Sequence, residues 1–135
     1  MIQPEIENHI RDDAFADWLG ATIEAIEPGY SRVSITVSKT MLNFHGITHG
    51  GLVFALGDIA FAAASNSHGR TSLALNVAIS FLRPANIGDQ LVAEAKEVQA
   101  GKTTALYDIV VTDRNSQKLI AKSQATVYRT RESFV

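Results

Sequence analysis

Residues 50–68 read GGLVFALGDIAFAAASNSH, and this stretch decides the fold. It is rich in alanine, holds no proline, and is too long for an ordinary strand, so it reads as a helix. Its apolar residues do not gather on one side. On a helical wheel Phe54, Phe61 and Ala62 fall near Asp58, while Leu56 and Ala60 fall opposite. A helix that is apolar all round is buried on every face. A sheet curling around it would bury it in this way. The small residues Ala55, Gly57, Ala60, Ala62, Ala63, Ala64 and Ser65 would let the wrapping backbone come close. The alternative is a helix lying on a flat sheet and covered by a second subunit.

The flanks support the wrapped version. Upstream, residues 39–49 have loop chemistry. Residues 8–19 carry Phe15, Trp18 and Leu19 at helical spacing. Residues 20–27 read as a first strand, Pro28-Gly29 as a turn, and Val33, Ile35 and Val37 alternate with polar residues as a second strand. Downstream everything reads as strand. Leu73, Leu75, Val77, Ile79 and Phe81 alternate with Ala74, Asn76, Ala78 and Ser80. Strands follow at 91–98, 105–111 and 119–128, with turns at Gly88-Asp89, Gly101-Lys102 and Arg114-Asn115. One major helix followed by a run of antiparallel strands is an α+β layout. No repeat or linker composition interrupts the 135 residues, so they are expected to form a single domain.

Composition excludes several functions. The formal net charge is -2, and lysines and arginines are not clustered, so a nucleic-acid partner is not expected. There are no cysteines, which removes a thiol nucleophile, a thiolate metal site and a disulfide framework. The longest apolar run, 52–64, is too short to span a bilayer and carries Asp58 in its middle, so no membrane partner is expected. The acidic N-terminus does not read as a secretory signal. A cytoplasmic location is the expectation.

Asp58 stands out, because burying a lone carboxylate is costly. It is either a general base or nucleophile, or a structural aspartate accepting backbone hydrogen bonds. Asn43, His45, His49, Gly50 and Gly51 form a second group. Two glycines at a helix start leave backbone N–H groups bare, and such a terminus favours negative charge, including an oxyanion. A plain loop with turn-permitting glycines is the other reading. His45 and His49 are not expected to hold a metal, since Gly46 opens the stretch and no Glu stands between them. His9 and His68 read as surface histidines, and Asn76 as an outward strand residue. Arg83 could meet a phosphate, although a strand end is an ordinary place for a solvated arginine.

The longer stretch 41–69, MLNFHGITHGGLVFALGDIAFAAASNSHG, resembles the phenylacetic-acid-degradation thioesterases of the hotdog superfamily. Asn43, His49-Gly50-Gly51, Asp58, Ala60-Phe61-Ala62 and Asn66-Ser67 carry the resemblance, and Phe81-Leu82-Arg83-Pro84 and Gly88-Asp89 extend it. The resemblance implies a hotdog fold, an antiparallel sheet wrapped around a long central helix. It implies a homo-oligomer in which dimers pair into tetramers. It implies hydrolysis of acyl-coenzyme A thioesters, often aromatic ones such as phenylacetyl or its hydroxylated forms, without a cofactor. Asp58 would be the catalytic carboxylate and the Gly50 N–H would polarise the carbonyl, with Asn43 and His49 placing water or shaping the oxyanion site. Gly51, Phe61 and Arg83 are the expected substrate contacts. A hydroxyl on the strand after the helix, used by some relatives, has no clear equivalent in Leu75-Asn76-Val77-Ala78. Two other readings compete with this one. A hotdog dehydratase would need a His-bearing proline-rich loop, which is missing, and an acyl-CoA sensor would need an attached DNA-binding module.

Overall fold

The computed structural model describes residues 1–135. Two short helices, α1 (Pro4–Arg11) and α2 (Ala14–Leu19), precede the strands β1 (Thr22–Glu27) and β2 (Tyr30–Thr36). A single 3-10 turn at Lys39–Met41 leads to the long helix α3 (Gly50–Asn66). Four strands then close the chain: β3 (Arg70–Phe81), β4 (Gln90–Ala100), β5 (Thr104–Asp113) and β6 (Leu119–Ser133). All six strands form one antiparallel sheet in the order β1-β2-β4-β5-β6-β3. The first strand after the helix therefore crosses to the far edge, and the sheet curls around α3, which packs on β2, β4, β5 and β3.

The concave face of the sheet makes the core. Val33, Ile35, Leu91, Ala93, Ala95, Tyr107, Ile109, Val111, Ala121 and Ala125 are buried against α3. The close approach depends on small residues, as expected. A methyl group added to Gly57 would already lie 3.5 Å from Ile109. Polar groups inside this interface are paired: the Ser31 hydroxyl donates to the Ala60 carbonyl, and the Ser67 hydroxyl accepts the Gly29 N–H at 2.7 Å while donating to Ala64. Asn66 ties the end of α3 to β3, donating to the Ser72 carbonyl and accepting the Ser72 N–H at 2.9 Å.

Three details depart from the sequence reading. The helix expected at 8–19 is two helices, because the Asp13 carboxylate captures the Ala16 N–H at 2.9 Å and starts α2 afresh as its N-cap. The alternation of β3 is broken by a bulge between Ala74 and Asn76, so Leu73 and Leu75 stay exposed while Val77 and Ile79 face inward against Ala125 and Ser123. The third departure matters most. α3 is not buried on every face: Gly51, Phe54, Asp58 and Ala62 form an exposed stripe along it. The sheet wraps only part of the helix circumference. The wrapped picture therefore holds, with one face of the helix left uncovered by the sheet.

Candidate active site

The loop before α3 is built on Asn43. Its side-chain oxygen accepts the N–H groups of His45 at 2.9 Å and Ile47 at 3.3 Å, and its backbone N–H donates to the Ile47 carbonyl at 2.8 Å. Gly46 closes this turn at φ 78°, where a side chain would be strained. The Asn43 acceptor is thus spent inside the loop, while its NH₂ group donates to nothing in the chain. The Thr48 N–H donates to Ala85 at 2.9 Å, which ties the loop to the segment after β3.

The loop delivers His49 as the N-cap of α3. Its Nδ1 accepts the Gly51 N–H at 2.9 Å, so in the neutral ring the proton sits on Nε2 and points away from the helix. The Leu52 and Val53 N–H groups return to the His49 carbonyl at 3.0 and 3.3 Å. A helix start has four orphan donors. Here His49 donates to the Met41 carbonyl at 2.8 Å, Gly51 to His49 Nδ1 and Leu52 to the His49 carbonyl, while the fourth, the Gly50 N–H, donates to no group of the chain. A bare N–H at the positive end of a seventeen-residue helix is suited to a developing oxyanion. The Phe81 ring flanks it, 3.5 Å from where a Gly50 side chain would begin.

Asp58 follows two turns later, on the exposed stripe. It makes no ion pair with any cation of the chain. Loss of water around the carboxylate raises its pKa above the ordinary range, and the like charge of Asp13 raises it further. A carboxylate with no cation to neutralise it and an elevated proton affinity is equipped to act as a base. Two open grooves lie on either side of it along the stripe, and Asp58 lines neither. On the N-terminal side a groove of about 530 Å³ is bordered by Phe15, Trp18, His49, Gly51 and Ala55. On the C-terminal side one of about 230 Å³ is bordered by His9, Asp13, Ile59, Ala62 and Phe134.

The structure brings Asn43, His49, Gly50 and Gly51 together at the head of α3, with Asp58 farther along the same face. Phe61 does not join them. It is 1% exposed and packs edge-on against Tyr107, with ring centroids 5.7 Å apart, so it is a core residue and not a substrate contact. Three residues beyond Asp58 is a rotation of about 60° short of a full turn, enough to carry a side chain off the exposed stripe into the core. Arg83 is exposed and its side chain is unpaired; Asn76 is exposed opposite Thr126. Asp13 was not singled out from the sequence, and Phe81 was named only in the strand pattern and within the resemblance, with no role at the site. An aspartate before an apolar helical run is an N-cap signal, and it could have marked Asp13. Its proximity to Asp58 could not be read, since it depends on how α2 crosses α3.

A six-stranded antiparallel sheet curled around one long helix is the hotdog fold. Residues 45–120 match the thioesterase superfamily, and the chain belongs to that superfamily as a thioester hydrolase. It is 41% identical over 118 residues to the acyl-coenzyme A thioesterase PaaI of Escherichia coli, covering 87% of this chain and 84% of that one. The structure of E. coli PaaI, from the phenylacetic acid degradation operon, superposes with a TM-score of 0.90 at 38% identity, over 94% of this chain and 91% of that one. A protein of Streptococcus mutans solved with acetyl CoA superposes with a TM-score of 0.78 at 30% identity, over 82% of this chain and 88% of that one.

Proposed function

We propose that the protein hydrolyses acyl-coenzyme A thioesters in composite sites shared between two subunits. The observation that carries this reading is the placement of Gly50 and Asp58 on one continuous helix. Eight residues at 1.5 Å each separate them by about 12 Å along the axis. A water held by Asp58 must come within about 3 Å of the carbonyl carbon whose oxygen meets the Gly50 N–H. One chain does not span that gap. Two antiparallel α3 helices would bring Asp58 of one subunit to Gly50 and Asn43 of the other. The twelve-residue edge strand β3, unpaired along its outer side and carrying exposed Leu73 and Leu75, offers the pairing edge for such a dimer.

In this site the thioester carbonyl oxygen accepts the Gly50 N–H, and the Asn43 NH₂ and His49 Nε2–H orient the substrate or the water. Asp58 takes a proton as the water oxygen bonds to the carbonyl carbon. The tetrahedral intermediate then expels the thiolate, the C–S bond breaks, and the proton passes to sulfur. Direct attack by the carboxylate is the variant route, with water then cleaving an anhydride. Arg83 is free to meet a coenzyme A phosphate. Pairing of dimers into a tetramer would bury further apolar surface. An aromatic acyl class, such as phenylacetyl or its hydroxylated forms, is the reading suggested by the origin of the E. coli relative in a phenylacetic acid degradation operon.

The test is release of free thiol from an acyl-CoA panel by chelator-treated protein. Turnover of phenylacetyl-CoA is the expected result. No thiol release from any member of the panel would overturn the reading.

A further inference from the structure

The exposed stripe of α3 carries one large apolar side chain. Phe54 is 38% exposed, whereas Leu52, Val53, Leu56, Ile59 and Phe61 of the same helix are buried. The residues one turn to either side of it are Gly50, Gly51, Gly57 and Asp58, so no bulky side chain of α3 covers the ring. Its place along the helix decides what faces it. Phe54 stands four residues after Gly50 and four before Asp58. Each interval is about 6 Å along the axis and a rotation of about 40° beyond one full turn. Phe54 therefore lies halfway between the bare N–H and the carboxylate, in height and in direction. If Gly50 of one subunit lies level with Asp58 of the other, and the reverse, the two-fold axis relating them runs through that midpoint. We propose, resting on the shared-site reading, that Phe54 packs on this axis against Phe54 of a second copy and is the positioning residue that sets the register of the two helices.

Register matters because the reacting groups come from different chains. A slip of one helical turn displaces Asp58 by about 5 Å relative to the Gly50 it serves. Misplacement by about 1 Å already costs on the order of a hundredfold in rate. Gly51 and Ala62, the small members of the stripe, let two helices approach but give a slipped helix nothing to clash with. The ring does. In the register of the shared site it meets its twin, as an aromatic pair with centroids about 4.5–7 Å apart. One turn off in either direction it faces Asp58 or the Gly50 N–H of the partner subunit and buries that polar group under an apolar ring. The same side chain thus favours one register and penalises its neighbours.

The chain has no cysteine, so a single introduced thiol can pair only with its twin. Full-length Phe54→Cys, Ala55→Cys, Asp58→Cys and Ala62→Cys are treated with a mild oxidant, and non-reducing electrophoresis follows the covalent dimer. A disulfide needs Cα atoms within about 7 Å of each other. In the proposed register the twin positions at Asp58 lie about 12 Å apart along the axis, and those at Ala62 about 24 Å. Phe54→Cys should therefore link about tenfold faster than the other three, or more. Turnover of phenylacetyl-CoA and sedimentation are measured beside it, and melting curves confirm the fold. Phe54→Ala should lower kcat about 10- to 100-fold while sedimenting as the wild type does. Phe54→Leu, which keeps the bulk, should stay within about threefold of the wild type. For Phe54→Cys, oxidation should raise kcat about tenfold over the reduced form, because the bond restores the register. A ring with a merely structural role would not produce that recovery. Faster linking at Ala55, Asp58 or Ala62, or wild-type turnover by Phe54→Ala, overturns the inference. If no position links, yet mixed dimers of Asp58→Ala and Asn43→Asp chains are active, the inference falls and the shared site stands. If neither linking nor recovery occurs, the shared-site reading falls with it.

Discussion

His49 Nδ1 accepts the Gly51 N–H at 2.9 Å, and this one bond separates the roles of the two glycines at the head of α3. It occupies the second N–H of the helix and leaves the first, that of Gly50, open to a ligand. It also fixes the imidazole tautomer that presents Nε2–H outward. Gly51 is confined by the same contact: a methyl group there would lie 3.1 Å from Nδ1, so the ring would have to move.

His49→Ala should therefore act twice. Loss of the cap should cost about 1 kcal/mol of stability, a fall in Tm of roughly 3–6 °C for a chain of this size. Loss of the Nε2–H and of helix-start order should lower kcat/KM about 10- to 100-fold. Calorimetry and thiol release check the two effects separately. A variant with native Tm and native turnover would show that the cap neither holds the helix start nor serves the site.

Asp58→Asn should lower turnover by about 10² to 10⁴, the usual worth of a positioned base, and should stabilise the fold at neutral pH. The sign follows from linkage. The folded-state pKa of Asp58 is raised, so the native chain binds more protons than the unfolded chain in the window between the reference value, about 3.9, and the raised one. Stability contributed by this group therefore falls as pH rises through that window, and the cost is complete above it. Asparagine removes that cost. Tm at pH 7 should rise, and the difference should vanish at pH below the reference carboxylate value. An Asn variant that is less stable at pH 7 would make Asp58 a structural anchor.

Much of this was legible in sequence, for identifiable reasons. α3 was readable because seventeen residues without proline, capped by a polar residue and two glycines, leave no other local structure. The sheet was readable because turn pairs such as Pro28-Gly29 and Gly88-Asp89 punctuate apolar alternation. The bulge in β3 was not, since Leu73 and Leu75 continue the alternation in sequence while the backbone inserts a residue. Phe61 misled because side chains about 60° apart on a wheel look like neighbours, and only the curvature of the sheet decides which of them is covered. Asp13 lay in plain view as a capping residue, but its pairing with Asp58 joins residues 45 positions apart through tertiary packing.

Asp13→Asn tests that pairing. Asparagine caps a helix as well as aspartate, so the Ala16 N–H keeps an acceptor and α2 should persist. The charge that pushes the Asp58 pKa upward is gone, so that pKa should fall toward the ordinary range, with desolvation still holding it up. The acid limb of the kcat/KM profile reports ionisation of the base in the free enzyme, and it should move to lower pH with the plateau unchanged. A limb that stays in place, or moves upward, would show that Asp13 does not act on the catalytic base.

The shared site makes the sharpest prediction. Asn43→Asp keeps the side-chain acceptor that holds the His45 and Ile47 N–H groups, and deletes the NH₂ donor that orients the substrate or the water in the proposed site. Asp58→Ala removes the carboxylate. Each variant alone should be inactive or nearly so. After dissociation, mixing in equal amounts and reassembly, about half of the dimers should be mixed, given random pairing and two-fold symmetry. If each site takes Asp58 from one subunit and Asn43 from the other, a mixed dimer has one site with both lesions and one with neither. The mixture should then recover about a quarter of wild-type activity. If each site is built within one chain, every site keeps one lesion and nothing is recovered. Tagging the two variants differently and co-purifying them proves that mixed dimers formed. Mixed dimers without activity would eliminate the shared site, and would require the Asn43 loop to fold back over its own helix to bring donor and carboxylate together.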